Sequence, residues 1–141
     1  MSSRLFLLAS ISVALLWSYP ALIESDSRAD AQAVTQQAIA AAQAVIQVAK
    51  SVDSGGNRQT VGLCIETSSD AIDYLSQIKS LLPKADDRAS IDTLKAKAAG
   101  ALNDVGTCDD AFGASEPPQV AAATKKVQNL INQLLVILNN L

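Results

Sequence analysis

The chain has 141 residues, of which 49% are hydrophobic and none is histidine, and its 11 basic and 14 acidic residues give a net charge of −3. The absence of histidine excludes a Ser-His-Asp triad, a Cys-His pair and a histidine metal ligand, and two cysteines alone make a poor metal site. A slightly acidic chain also argues against a nucleic-acid partner, which needs a basic face. We therefore expect one domain that is not an enzyme and that holds no metal or cofactor.

The first residues are typical of a secretory signal. Arg4 is followed by an apolar run over residues 5–17, which is too short to span a membrane comfortably. We predict a signal peptide over residues 1–25, cleaved somewhere between Ser18 and Ala29, with no stable membrane insertion afterwards. An uncleaved anchor or a helix of the domain is the alternative. The folded domain is predicted over residues 26–141.

Four segments carry apolar residues at alternating spacings of three and four, which places these residues on one face of an α-helix. The predicted helices run from about Ala29 to Val52, from about Thr60 to Leu82, from about Ser90 to Phe112, and from Gln119 onward. The linkers between them are short and contain the helix-breaking residues glycine and proline. Because short linkers force neighbouring helices to run antiparallel, we predict an all-α, up-down-up-down antiparallel four-helix bundle.

The second and third predicted helices carry matching apolar seams. The seams are Cys64, Thr67, Ala71, Tyr74, Ile78 and Leu81 in one helix, and Ile91, Leu94, Ala98, Ala101, Val105 and Cys108 in the other. An antiparallel hairpin pairs Cys64 with Cys108 and sets Tyr74, predicted as a core residue, opposite the small Ala98. We predict a Cys64–Cys108 disulfide, whose loop should stabilise the fold by about 4 kcal/mol on the chain-entropy estimate.

Charged residues off these seams are the candidate partner contacts. Lys84, Asp86 and Asp87 lie in the predicted turn of the hairpin, where they are placed to probe the groove of a partner protein. Asp109 and Asp110 lie near the C-terminal end of a helix, where negative charge is unfavourable, and this position hints at a use in binding. A solvated surface is the simpler interpretation of both groups.

The second predicted helix also has an acidic outer face formed by Glu66, Asp70 and Asp73. Paired carboxylates can perform acid–base chemistry. These three flank no recognisable cleft and lie off the seam, so we interpret them as a solvated face.

Three segments resemble the plant invertase and pectin methylesterase inhibitor family. Cys64 with residues 70–75 resembles its cysteine-bearing helix, residues 98–112 resemble its "SAALtN…TCxDxF" element, and residues 129–141 resemble its closing helix. The resemblance implies a secreted four-helix bundle with the same disulfide. It also implies a non-enzymatic role, in which the protein binds stoichiometrically over the cleft of a carbohydrate-active enzyme. Thr107, Asp109 and Asp110 match the motif and are carried over as candidate contacts.

The TCxDxF element favours the esterase branch of that family over the invertase branch. Invertase inhibitors typically carry Pro-Lys-Phe in the hairpin turn, where this chain has Ala85 after Pro83 and Lys84.

Relatives also carry an N-terminal helical hairpin with its own disulfide, and here Ile23 stands where its second cysteine belongs.

The leading expectation is therefore a secreted, non-covalent inhibitor of pectin methylesterase in the apoplast and cell wall. An invertase inhibitor is the first alternative. A non-inhibitory helical carrier or adaptor, with a groove beside the first helix, is the second.

Overall fold

The computed structural model describes the backbone of residues 19–141 and the side chains from residue 27 onward. Most of the predicted signal peptide over residues 1–25 lies outside this part of the chain. The described residues form the helices α1 (Tyr19–Ser51), α2 (Arg58–Leu81), α3 (Arg88–Phe112) and α4 (Pro118–Asn139), with 3₁₀ turns at Leu82–Lys84 and Gly113–Ser115. These four helices, with no strand between residues 19 and 141, confirm the predicted all-α class.

The helices form a closed ring in which each packs on its two neighbours. α2 packs on α1 and α3, while α4 packs on α3 and α1. The connections between consecutive helices are short, so the helices alternate in direction around one apolar core. The up-down-up-down antiparallel bundle is confirmed.

Both ends of α3 have recognisable end residues, whereas the start of the first helix differs from the prediction. Asp87 caps α3, since its side chain accepts a 2.8 Å hydrogen bond from the Ser90 amide, and Gly113 ends α3 with a φ of 58°. The predicted start of the first helix at Ala29 is wrong, because α1 already begins at Tyr19 and is 33 residues long.

The predicted seam of α3 is buried along its whole length, but the seam of α2 is only partly correct. Tyr74 and Leu81 are 37% and 40% exposed, whereas Leu75 and Leu82 are fully buried in their place. The buried positions of α2 pass from Ala71 to Leu75, Ile78 and Leu82, so the buried stripe leaves the predicted seam at Tyr74. The predicted core position of Tyr74 is therefore wrong.

The disulfide joins the two helices at the end opposite their connecting turn. Cys64 and Cys108 are both fully buried, and their Cα atoms lie 4.4 Å apart. The predicted pairing is confirmed. Together, α2 and α3 form a helical hairpin that is closed covalently at one end and by the chain itself at the other.

Candidate protein-binding surface

The turn between α2 and α3 is here called the hairpin tip (residues 84–88). Two buried residues, one just before the tip and one within it, shape the turn. Leu82 is fully buried and Ala85 is 2% exposed, so both side chains point into the bundle. Lys84 and Asp86 are exposed between and beside them. Because the apolar side chains point inward, the charged ones are presented outward, as the sequence predicts.

A side chain from α1 holds the backbone of this turn. The Arg28 guanidinium donates hydrogen bonds to the carbonyl oxygens of Leu82 at 2.9 Å and Ala85 at 2.5 Å. Asp87, a candidate contact, is already engaged as the cap of α3, and hydrogen bonds from Ser90 lower the pKa of its carboxyl group. Of the three candidate contacts at the tip, Asp87 is thus engaged within the chain, whereas Lys84 and Asp86 are exposed.

Midway along the hairpin lies a small surface pocket, here called the mid-hairpin pocket, with a volume of about 280 Å³. It is lined by Asp70, Asp73, Tyr74, Gln77 and Asp104. Partial burial raises the pKa of Asp104, and the negative charge of Asp70 adds to the effect. One carboxylate oxygen of Asp104 is buried without a hydrogen-bond partner among the described residues.

The ring of Tyr74, which lines this pocket, packs closely against α3 at Gly100. A Cβ atom added to Gly100 would come within 3.1 Å of the ring, so the absence of a side chain at Gly100 allows this close approach. Lys97 donates a 2.6 Å hydrogen bond to Gln77 at the edge of the pocket. An exposed aromatic face bordered by carboxylates suits a lysine or arginine side chain of another protein. Across the described residues, no group of three side chains is arranged to hold a metal ion.

The motif residues near the disulfide have partners within the chain. The Thr107 hydroxyl donates to the Asn103 carbonyl oxygen at 3.0 Å. The Asp109 carboxylate accepts hydrogen bonds from Thr124 at 2.6 Å and Gln128 at 2.7 Å, both on α4. Asp110 is exposed. Asp109 therefore joins α3 to α4, which explains a negative charge at this helix end without a partner protein.

Glu116, in the linker that follows α3, lies against Asp109. Burial raises the pKa of Glu116 to about 7, and the hydrogen bond and negative charge of Asp109 add to the effect. One carboxyl oxygen of Glu116 is buried without a hydrogen-bond partner among the described residues. A protonated Glu116 can donate this hydrogen bond to the Asp109 carboxylate, whereas an ionised one cannot.

The six predicted contact residues do not form one patch. Asp87 and Thr107 are separated by most of the length of α3, which corresponds to about 30 Å at the rise of an α-helix. Lys84, Asp86 and Asp87 lie at the tip, whereas Thr107, Asp109 and Asp110 lie near the disulfide. The mid-hairpin pocket lies between the two groups.

A separate groove, here called the α1–α4 groove, runs along the other side of the bundle with a volume of about 770 Å³. Its walls carry alanine side chains of both helices, together with Gln37, Lys125, Lys126, Asn129 and Leu130. The groove predicted beside the first helix is therefore present, with α4 as its second wall.

The comparisons with known proteins agree with this architecture. A family model described as "Plant invertase/pectin methylesterase inhibitor" matches residues 9–137. The chain belongs to this family. A crystal structure of a pectin methylesterase inhibitor from Arabidopsis thaliana matches with a TM-score of 0.70 and 21% identity, over 80% of this chain and 76% of that one. A comparison with curated proteins gives no significant match.

Proteins of the plant invertase/pectin methylesterase inhibitor family are extracellular inhibitors rather than enzymes. The Arabidopsis structure shows the same helical fold. Between residues 19 and 141, no helix combines the length and hydropathy that a membrane span requires.

In this member of the family, three residues shape the surface in ways that the apolar spacing does not predict. The three-four spacing predicts Tyr74 as a core residue, whereas the alternative spacing of Ala71, Leu75, Ile78 and Leu82 leaves it outside. Gly100 is the sequence signal for its true position, because a residue without a side chain allows an aromatic ring to approach closely. Arg28 gave no local signal, since its partners lie more than fifty positions further along the chain.

Proposed function

We propose that this chain is a secreted inhibitor of pectin methylesterase that binds one enzyme molecule non-covalently and covers its active-site cleft. The observation that carries the proposal is an exposed tyrosine bordered by carboxylates on the α2–α3 hairpin of a chain in this inhibitor family. Histidine is absent from the chain, so no serine, threonine or tyrosine hydroxyl has a histidine base to activate it for covalent attack. Binding is therefore attributed to surface complementarity alone.

The docking surface of this proposal is the outer side of the hairpin, from the hairpin tip to the mid-hairpin pocket. Lys84 and Asp86 supply opposite charges at the tip, and Tyr74 supplies an aromatic anchor further along. Tyrosine is enriched among the residues that contribute most to protein–protein binding. Charged residues around such an anchor exclude wrong partners and fix the orientation of docking.

Secretion belongs to the same proposal. A disulfide between two buried cysteines favours an oxidising compartment, and the apolar run over residues 5–17 supplies a route of export. We assign residues 1–25 to a signal peptide and residues 26–141 to the inhibitor domain in the apoplast and cell wall. The intact mass of the secreted product checks both the cleavage point and the disulfide.

The deciding experiment is a pectin demethylation assay with increasing inhibitor up to an equimolar amount, repeated for several esterases. We expect activity to fall in proportion to the added protein and to level off near one inhibitor per enzyme. The double variant K84A/D86A should inhibit more weakly with unchanged helicity. Its matched control, K126A/D30A, removes the same charges from α4 and α1 and should inhibit like the unmodified protein. Full activity of every esterase at equimolar protein would refute the proposal.

Invertase inhibition is the alternative within the family. Position 85, where invertase inhibitors typically carry phenylalanine, holds a buried alanine in this chain, so the tip presents no aromatic ring. A parallel assay of sucrose hydrolysis separates the two targets. Loss of invertase activity together with intact esterase activity would replace the proposed target.

The α1–α4 groove favours a second, non-inhibitory candidate. Its volume of about 770 Å³ and its alanine lining would accommodate a small apolar ligand. Displacement of a fluorescent dye by lipids, with no inhibition of either enzyme, would support a carrier. If lipids do not displace the dye and the protein inhibits the esterase, the result supports the leading proposal.

A further inference from the structure

The hydrogen bonds of Arg28 satisfy the backbone at the end of α2. The last carbonyl groups of an α-helix lack partners within the helix and form the negative end of its dipole. The carbonyl oxygens of Leu82 and Ala85, in the turn that follows α2, accept hydrogen bonds from the Arg28 guanidinium at 2.9 and 2.5 Å. The same Leu82 oxygen also accepts the Ala85 amide at 3.3 Å. One cation of α1 therefore joins both ends of the 3₁₀ turn.

Two further residues of α1 continue this contact along the same side of the helix. The Gln32 amide donates to the Lys79 carbonyl oxygen at 3.3 Å, and the Lys79 ammonium donates to the Gln36 side chain at 2.6 Å. Arg28, Gln32 and Gln36 are spaced by four residues, so they form a ladder on one face of α1. This ladder adds polar contacts between α1 and the last turns of α2.

The ladder matters for the hairpin tip because the tip has no covalent fastening of its own. The disulfide is near the other end of α2, where Cys64 lies 17 residues before Leu81. This separation corresponds to about 26 Å along the helix. Leu82 and Ala85 are held inward by burial, and Arg28 holds their carbonyl groups. Between these fixed points, Lys84 is presented outward, and Asp86 follows immediately.

We propose that Arg28 is a positioning residue that sets the conformation of the hairpin tip for binding. The consequence for binding rests on the proposed inhibitory function, whereas the consequence for the tip conformation does not. The proposal also limits processing. Because Arg28 falls inside the interval predicted for signal cleavage, cleavage occurs before residue 28, and the secreted chain retains this arginine.

The test compares secreted full-length R28A and R28K with the control variant K50A, which removes an exposed cation from the other end of α1. Hydrogen exchange is measured by NMR at the Ala85 amide and at core amides of α3, alongside the unfolding midpoint and the esterase assay. We expect exchange at Ala85 to accelerate by about tenfold in R28A, the effect of losing charged hydrogen bonds to the turn. Exchange in the α3 core should stay unchanged.

In R28K, the ammonium group keeps the positive charge but lacks the planar fork with which the guanidinium reaches both carbonyl groups, so both exchange and inhibition should recover in part. K50A should behave like the unmodified protein. Unaltered exchange at Ala85 in R28A, or equal acceleration in every helix, would overturn the positioning role. A secreted product that begins after residue 28 would overturn it as well. If the unmodified protein inhibits no esterase, the proposed function fails, and the exchange data still decide the role of Arg28.

Discussion

The two ends of the helical hairpin are held by different kinds of interaction. At one end, the Cys64–Cys108 disulfide is buried, and Asp109 receives two short hydrogen bonds from α4. At the other end, the tip is held by an arginine from α1 and by the cap at Asp87. The first end is fastened covalently, whereas the second is fastened by non-covalent contacts alone, which are these hydrogen bonds and the burial of Leu82 and Ala85.

This difference separates stability from recognition along one structural unit. A covalent link far from the tip constrains the unfolded chain without restricting the surface that meets a partner. Polar contacts at the tip orient Lys84 and Asp86 while leaving both side chains exposed. Changes near the disulfide should therefore lower stability more than binding, and changes at the tip or the mid-hairpin pocket should do the reverse.

The largest effect is expected from removing the disulfide with the double variant C64A/C108A. The free energy of unfolding should fall by about 4 kcal/mol, because the unfolded chain regains the entropy of a closed loop. Denaturant unfolding of the oxidised and variant proteins measures this loss. The Ala85 amide should exchange at its original rate under native conditions if the two ends act independently. If the variant is as stable as the unmodified protein, the disulfide does not stabilise the fold.

The next effect is expected from T124V, which deletes one hydrogen bond to the Asp109 carboxylate while keeping the side-chain shape. Thr124 is buried, so we expect a loss of about 2 kcal/mol, typical of a hydrogen bond to a charged group. Thermal or denaturant unfolding measures the loss. The control T93V removes an exposed hydroxyl that bonds only its own helix in the described contacts, and it should change stability little. Equal stability of the two variants would contradict the role given to Asp109.

The two ends should also respond to pH in opposite directions. Burial beside Asp109 raises the pKa of Glu116 to about 7, so between its ordinary pKa and pH 7 the folded chain holds a proton that the unfolded chain releases. The free energy of unfolding should therefore fall as pH rises through this window, by about 1 kcal/mol after solvent screening. Asp87 acts in the opposite sense, since its lowered pKa gives stability that is lost as pH falls.

The variant E116Q isolates the part of this pH dependence that belongs to the disulfide end. Glutamine stays neutral and can donate to Asp109 at every pH, so the decline toward neutral pH should become smaller. Asp104, whose pKa is also raised by burial, contributes a decline of the same sign that remains in the variant. E66Q, on an exposed position of α2, is the control. Identical pH profiles of E116Q and the unmodified protein would rule out the shared proton.

The smallest effect on stability is expected at the mid-hairpin pocket. In G100A, the gain in helix propensity is opposed by a methyl group within 3.1 Å of the Tyr74 ring, so the free energy of unfolding should change by less than about 1 kcal/mol. The ring should nevertheless move, which NMR shifts of Tyr74 report, and inhibition should weaken. The control G106A places its methyl group in open space on the same helix. Unchanged Tyr74 shifts in G100A would contradict the close packing.

The helices and the disulfide could be predicted because both depend on local spacing. The seam of α3 and the facing positions of Cys64 and Cys108 follow from alternating gaps of three and four in two neighbouring segments. The same rule fails at Tyr74, because the buried positions of α2 continue through Leu75, Ile78 and Leu82 instead. The exposed charges of the tip were also predictable, because a proline marks the turn.

The remaining features depend on contacts between distant parts of the chain. Arg28 reaches carbonyl groups 54 and 57 residues away, and no pattern within α1 identifies them. Asp109 reaches Thr124 and Gln128 on the following helix, 15 and 19 residues away. Such pairings are set by the packing of whole helices, so they become visible only in the three-dimensional structure.

Hydrogen exchange of the protein bound to a pectin methylesterase tests the central claim most directly. The account predicts slower exchange at the hairpin tip and around Tyr74 and Gly100, with little change along the α1–α4 groove. Protection confined to that groove, or the same exchange with and without the enzyme, would contradict the claim that the outer side of the α2–α3 hairpin is the inhibitory surface.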